Sequence, residues 1–123
     1  MMERDPLSQQ IIGCAFRVSN GLGNGFLEKV YENALAHELR KAGLMVEQQY
    51  PIKVFYDGQI VGDYIADLLV EDRILVELKA VKALDDIHSA QCINYLKATE
   101  KPVCLLFNFG TSKIEFKRFV HMF

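Results

Sequence analysis

Apolar residues recur along this chain with two different periods, and the change from one to the other divides it. Leu7, Ile11, Ala15, Val18 and Leu22 fall at helical spacing. Asp5-Pro6 just before them offers an N-cap acceptor and a proline at the first helical position, where no amide hydrogen is needed. Gly21-Leu22-Gly23-Asn24-Gly25 ends that helix. A second helix carries Leu27, Tyr31, Ala34, Leu35 and Leu39 on one face and stops near Gly43. From Val46 the period becomes two, with Tyr50, Ile52, Val54 and Tyr56 at alternate positions, and Asp57-Gly58 forms a hairpin turn. A second strand runs from Ile60 to Val70, broken at Glu71-Asp72. A third, ILVELKAV, is apolar at nearly every position and suits a central strand covered on both faces. Asp85-Asp86 caps a third helix to about Thr99, which Pro102 cannot continue, and two strands close the chain, Val103 to Phe109 and Ile114 to Val120. The order ααβββαββ predicts one α+β or mixed α/β domain over residues 1–123, a sheet with helices packed on it.

Charged residues inside the apolar strands are the informative exceptions. Glu77 and Lys79 are two apart on the third strand and project from one face of what is otherwise buried sheet. Taken alone, E-x-K reads first as a salt-bridged pair on a partly solvated face. Asp67 interrupts the second strand in the same way. With the hairpin centred on Asp72, Asp67 stands opposite Glu77, where paired side chains approach to about 4.5–5.5 Å between Cβ atoms. Two carboxylates that close in apolar surroundings repel unless a proton or a cation lies between them. Such hard oxygen ligands suit Mg²⁺, with Mn²⁺ as a substitute.

Glu28 lies at the edge of the second helix's apolar stripe. Two readings stand: a third site acid, or an N3 carboxylate that complements the helix dipole if Gly25 is the N-cap. On the third helix His88, Gln91 and Tyr95 form a polar stripe beside Cys92, Ile93 and Leu96. A solvated face explains His88 and Gln91 better than it explains the aromatic Tyr95.

Composition narrows the partners. Basic residues number 14 and acidic residues 16, a net charge of -2, which excludes a chain held to phosphates by overall charge. Any nucleic-acid contact must come from a local patch or through a cation. Cys14, Cys92 and Cys104 are scattered among apolar residues and read as reduced core thiols of a cytoplasmic protein. No apolar run reaches membrane-spanning length.

Asp67, then Glu77-Leu78-Lys79 on the next strand, with an acid on a preceding helix, resemble the PD-(D/E)XK nuclease superfamily. Gly25-Phe26-Leu27-Glu28-Lys29-Val30-Tyr31 is similar to the signature of the bacterial GxxExxY proteins placed in that superfamily. The stretches YDGQIVGDYIADLLVEDRILVELKAV and HSAQCINYLKAT extend the likeness from about Ile11 to Val120; Asn24 stands where that family often has proline. The resemblance implies a restriction-endonuclease-like core with the acids at strand ends. It implies Asp67, Glu77 and Glu28 as metal-site acids and Lys79 as the group that orients water and neutralises phosphate charge. Gln91 and Tyr95 match a QxxxY motif found near the active site in some of these nucleases. The implied activity is Mg²⁺-dependent hydrolysis of phosphodiester bonds in DNA, with RNA as the lesser substrate. A non-catalytic binding or assembly module of the same fold, and a hydrolase of another phosphate ester, are the alternatives. A chain this small predicts a homodimer or a subunit of a larger assembly.

Overall fold

The computed structural model describes residues 5–121. It contains α1 (Pro6–Leu22), α2 (Glu28–Lys41), β1 (Val46–Tyr56), β2 (Gln59–Val70), β3 (Ile74–Lys79), α3 (Asp86–Thr99), β4 (Val103–Asn108) and β5 (Glu115–Val120). The strands form one sheet in the order β1-β2-β3-β4-β5. All neighbours are antiparallel except β3 and β4, which run parallel because α3 crosses between them. The sheet is therefore mixed, and its middle strand β3 is buried at every residue but Lys79.

Local chemistry accounts for the helix ends. The Asp5 carboxylate accepts from the Leu7 amide while Pro6 occupies the first turn of α1. Asp85 and His88 cap α3 reciprocally, the Asp85 amide donating to His88 Nδ1 at 3.0 Å. His88 thus has a structural post rather than a place in a polar stripe. Helix α2 departs from expectation: its N-cap is Leu27 and Glu28 is its first residue, so Gly25 does not cap it and Glu28 is not at N3. Instead the fully buried Tyr31 ties down the preceding loop. Its hydroxyl donates to the Gly23 carbonyl at 2.6 Å and accepts from the Phe26 amide at 3.2 Å, while its ring stacks on Phe109.

The two faces of the sheet bury different helices. Leu68, Val70, Ile74, Val76 and Leu78 pack with β4 under α1 and α2. Ile52, Ala66, Leu69, Leu75, Cys104 and Leu106 pack under α3 with Cys92, Tyr95 and Leu96. The three cysteines are free and buried. Beyond the end of β3, β1 and β2 continue together as a long hairpin beside α3. The third strand stops at Lys79, earlier than its apolar run suggests, because Asn108 takes over the next residues: its side chain accepts from the Val81 amide and donates to the Val81 carbonyl, each at 3.0 Å. Gly110 lies so close to this turn that a Cβ there would overlap the backbone of Val81. Among the described residues no helix is long and apolar enough to cross a membrane.

Candidate active site

The site begins with an irregularity in the sheet. On a regular strand, residues two apart share a face. In β1, however, Gln48 bonds to α2 whereas Tyr50 packs toward α3; in β2, Leu68 lies under α1 and α2 whereas Ala66 lies under α3. Both strands exchange faces between those positions, at Gln49 and Asp67. Gln49 makes this possible by adopting a left-handed backbone, φ 59°, which a non-glycine side chain enters only at a cost.

Next door, the β2–β3 ladder stops. Its register runs Val70↔Ile74, Leu69↔Leu75, Leu68↔Val76, so Asp67 and Glu77 stand at the following rung, as the hairpin centred on Asp72 predicted. There the side chains replace the backbone ladder. Glu77 Oε1 accepts from the Asp67 amide at 2.9 Å, and Asp67 Oδ2 accepts from the Leu78 amide at 2.8 Å. Each carboxylate spends one oxygen on the opposite strand, and its other oxygen carries no hydrogen bond among the described residues.

Electrostatics follow from this burial. Glu77 is only 3% exposed, and its carboxyl is pushed up from 4.5 to about 8, first by desolvation and then by the neighbouring Asp67 charge. Asp67 is also raised, first by burial, then by Glu32 and Glu28, against the Leu78 amide that favours its charged form. Lys79 draws both acids down but forms no ion pair with either among the described residues. The closed salt bridge that an isolated E-x-K could make is therefore not formed, and the ammonium has no ion-pair partner among the described residues.

The other expected residues divide. Tyr95 reaches the site from α3: its hydroxyl donates to the Ile65 carbonyl at 3.3 Å, and burial, then the Glu77 and Asp67 charges, push its pKa well above the usual tyrosine range. Gln91 is one helical turn earlier on the same helix, partly exposed. Glu28 is exposed in the first turn of α2 and acts on both acids through its charge. It does not join them: among the described residues no three Asp, Glu, His or Cys side chains converge as a metal-binding group.

Glu32 was missed by sequence reasoning. It lies one turn beyond Glu28, 3% exposed, held by Lys29 at 2.9 Å, Gln48 at 2.7 Å and Gln49 at 2.8 Å. The spacing of Glu28 and Glu32 put both on one side of α2. What hid the second acid is that its burial comes from β1, through the two consecutive glutamines.

As a donor set, the Asp67–Glu77 pair fits a divalent cation. Both are hard oxygen ligands, both retain an oxygen, and their mutual repulsion in a desolvated setting is the kind a cation relieves.

A mixed sheet that opens around paired acids, with a lysine two residues beyond the second, defines a nuclease-type core. The chain belongs to the PD-(D/E)XK nuclease superfamily, whose family model matches residues 5–119. Among solved structures, an alkaline exonuclease from Laribacter hongkongensis is similar, with a TM-score of 0.50 and 15% identity over 98% of this chain and 73% of that one. That likeness concerns the fold alone. No curated protein matches the sequence.

Proposed function

We propose that this chain is a Mg²⁺-dependent nuclease that hydrolyses phosphodiester bonds in DNA. The observation that carries the reading is the carboxylate pair, Asp67 with Glu77, inserted into the opened β2–β3 ladder while Lys79 stands unpaired beside it. The membership of the finer GxxExxY group belongs to the same reading.

Asp67 and Glu77 would hold the cation, which when bound supplies Lewis acidity toward the phosphate and lowers the pKa of water. The chain's own residues do the rest. The backbone amides of Asp67 and Leu78 fix one oxygen of each acid, so the remaining two face a ligand without conformational search. Lys79 places a positive donor where charge builds on the scissile phosphate and orients the attacking water. Glu28 adds negative charge at the rim, and Tyr95 closes the α3 side. Without a cation, this group of acids repels a polyanion, which reconciles a net charge of -2 with a nucleic-acid substrate. One small chain covers little duplex, so a homodimer, or a place in a larger assembly, in the cytoplasm completes the proposal.

The test is cleavage of labelled single-stranded, duplex and branched DNA by purified protein in Mg²⁺ or Mn²⁺. Loss of cleavage in Asp67→Asn supports the reading; cleavage by Asp67→Asn at the wild-type rate refutes the site.

A further inference from the structure

The β1–β2 hairpin and α3 flank a groove of about 800 Å³ that Tyr95 lines. Its hairpin wall carries two largely uncovered aromatic side chains, Phe55 at 63% and Tyr64 at 51% exposure, facing aliphatic Ile87, Ala90 and Ala98 on α3. The Tyr64 ring lies 5.8 Å from that of Tyr95. Gln91 and Tyr95 line the groove, and Tyr95 also feels the charges of Glu77 and Asp67, so this one residue is shared by the groove and the surroundings of the proposed catalytic centre. Asn94 and Lys97 stand along the α3 side, with Glu100 at the C-terminal end of that helix also in the lining. Among the described residues the carboxamides of Gln91 and Asn94 make no hydrogen bond, and Lys97 makes no ion pair.

We infer that this groove binds the unstacked bases of single-stranded nucleic acid and feeds that strand to Asp67 and Glu77. This rests on the nuclease reading and names its substrate class. The argument is one of complementary chemistry. Aromatic faces accept any base by stacking, independent of sequence. Unpaired carboxamides offer a donor and an acceptor to base edges. A lysine on the same wall meets the phosphate backbone. A paired duplex presents its bases to its own partner strand and leaves none to fill the space between Tyr64 and α3. An apolar protein segment would satisfy the rings but leave two carboxamides and an ammonium to be desolvated.

The experiment is fluorescence anisotropy with a short labelled single-stranded oligonucleotide and with the same strand in a blunt duplex, in Ca²⁺ to hold off hydrolysis. The single strand is expected to bind tighter. Tyr64→Ala and Phe55→Ala should each weaken single-strand binding by about 5- to 150-fold, with duplex binding unchanged and Tyr64→Phe close to wild type. Both side chains are exposed, so these variants keep the fold. Wild-type affinity for the single strand in Tyr64→Ala and Phe55→Ala overturns the inference. So does a change only in self-association by size-exclusion chromatography, which would assign the groove to a second copy of the chain. The nuclease reading fails separately, by absence of cleavage in Mg²⁺ with single-strand binding intact.

Discussion

Replacing Glu77 by glutamine removes the charge that the folded state holds at greatest cost while keeping the acceptor for the Asp67 amide. Moving a carboxyl from 4.5 to about 8 disfavours the folded protein by about 5 kcal/mol once both folded and unfolded chains are ionised. The sign follows from proton binding: between those values the folded state holds a proton that the unfolded state has released. With respect to this group, stability of the metal-free wild type is therefore highest below about pH 4.5 and falls by up to about 1.4 kcal/mol per pH unit until about pH 8. Against a typical total of about 5–15 kcal/mol, that is a large fraction. Urea unfolding from pH 5 to 9 in EDTA should show this decline in the wild type. Glu77→Gln should decline less steeply, since the raised Asp67 remains, and be the more stable of the two at pH 8. Mg²⁺ should lift the wild type at pH 8 and leave the variant almost unmoved. Parallel curves for the two proteins would refute the reasoning, since they would mean that Glu77 pays no desolvation cost.

Three further substitutions test other parts of the account. Lys79→Met should lower nuclease turnover by about 10²–10³-fold with little change in melting temperature, because Lys79 is partly exposed and has no ion pair to lose; an unfolded variant would place Lys79 in the scaffold instead. Tyr31→Phe removes one donor and one acceptor from the loop ahead of α2 and should cost ~1 kcal/mol in urea unfolding; an unchanged midpoint would show that the loop does not depend on the hydroxyl. Gly110→Ala drives a methyl into the Val81 backbone and should destabilise by ~1–3 kcal/mol in thermal melts, and a neutral result would mean that the turn after β3 yields easily.

Much of the architecture was legible because hydrophobic period and punctuation agreed. Asp5-Pro6, Asp57-Gly58 and Asp85 each mark an element boundary through local chemistry, and the structure places helix caps or turns at all three. The Asp67–Glu77 juxtaposition followed from a hairpin centred on Asp72, and the register keeps that centre. What could not be read depends on tertiary contact. The left-handed Gln49 has no sequence signal, since glutamine is not a residue that prefers φ above zero. The exchange of sheet faces at Gln49 and Asp67, which lets Asp67 meet the Leu78 amide, was hidden with it. Glu32 gave no signal in the sequence because its partners, Gln48 and Gln49, are supplied by β1. The start of α2 was misplaced for a related reason: Tyr31, not a capping side chain, organises the glycine-rich loop.

The central claim is that Asp67 and Glu77 together hold a divalent cation for catalysis beside Lys79. Anomalous diffraction from crystals soaked in Mn²⁺ tests it most directly. A peak within bonding distance of both carboxylates, with the Lys79 ammonium alongside, is the predicted result. A map without such a peak, with Lys79 folded onto the two acids as a closed ion pair, would contradict it.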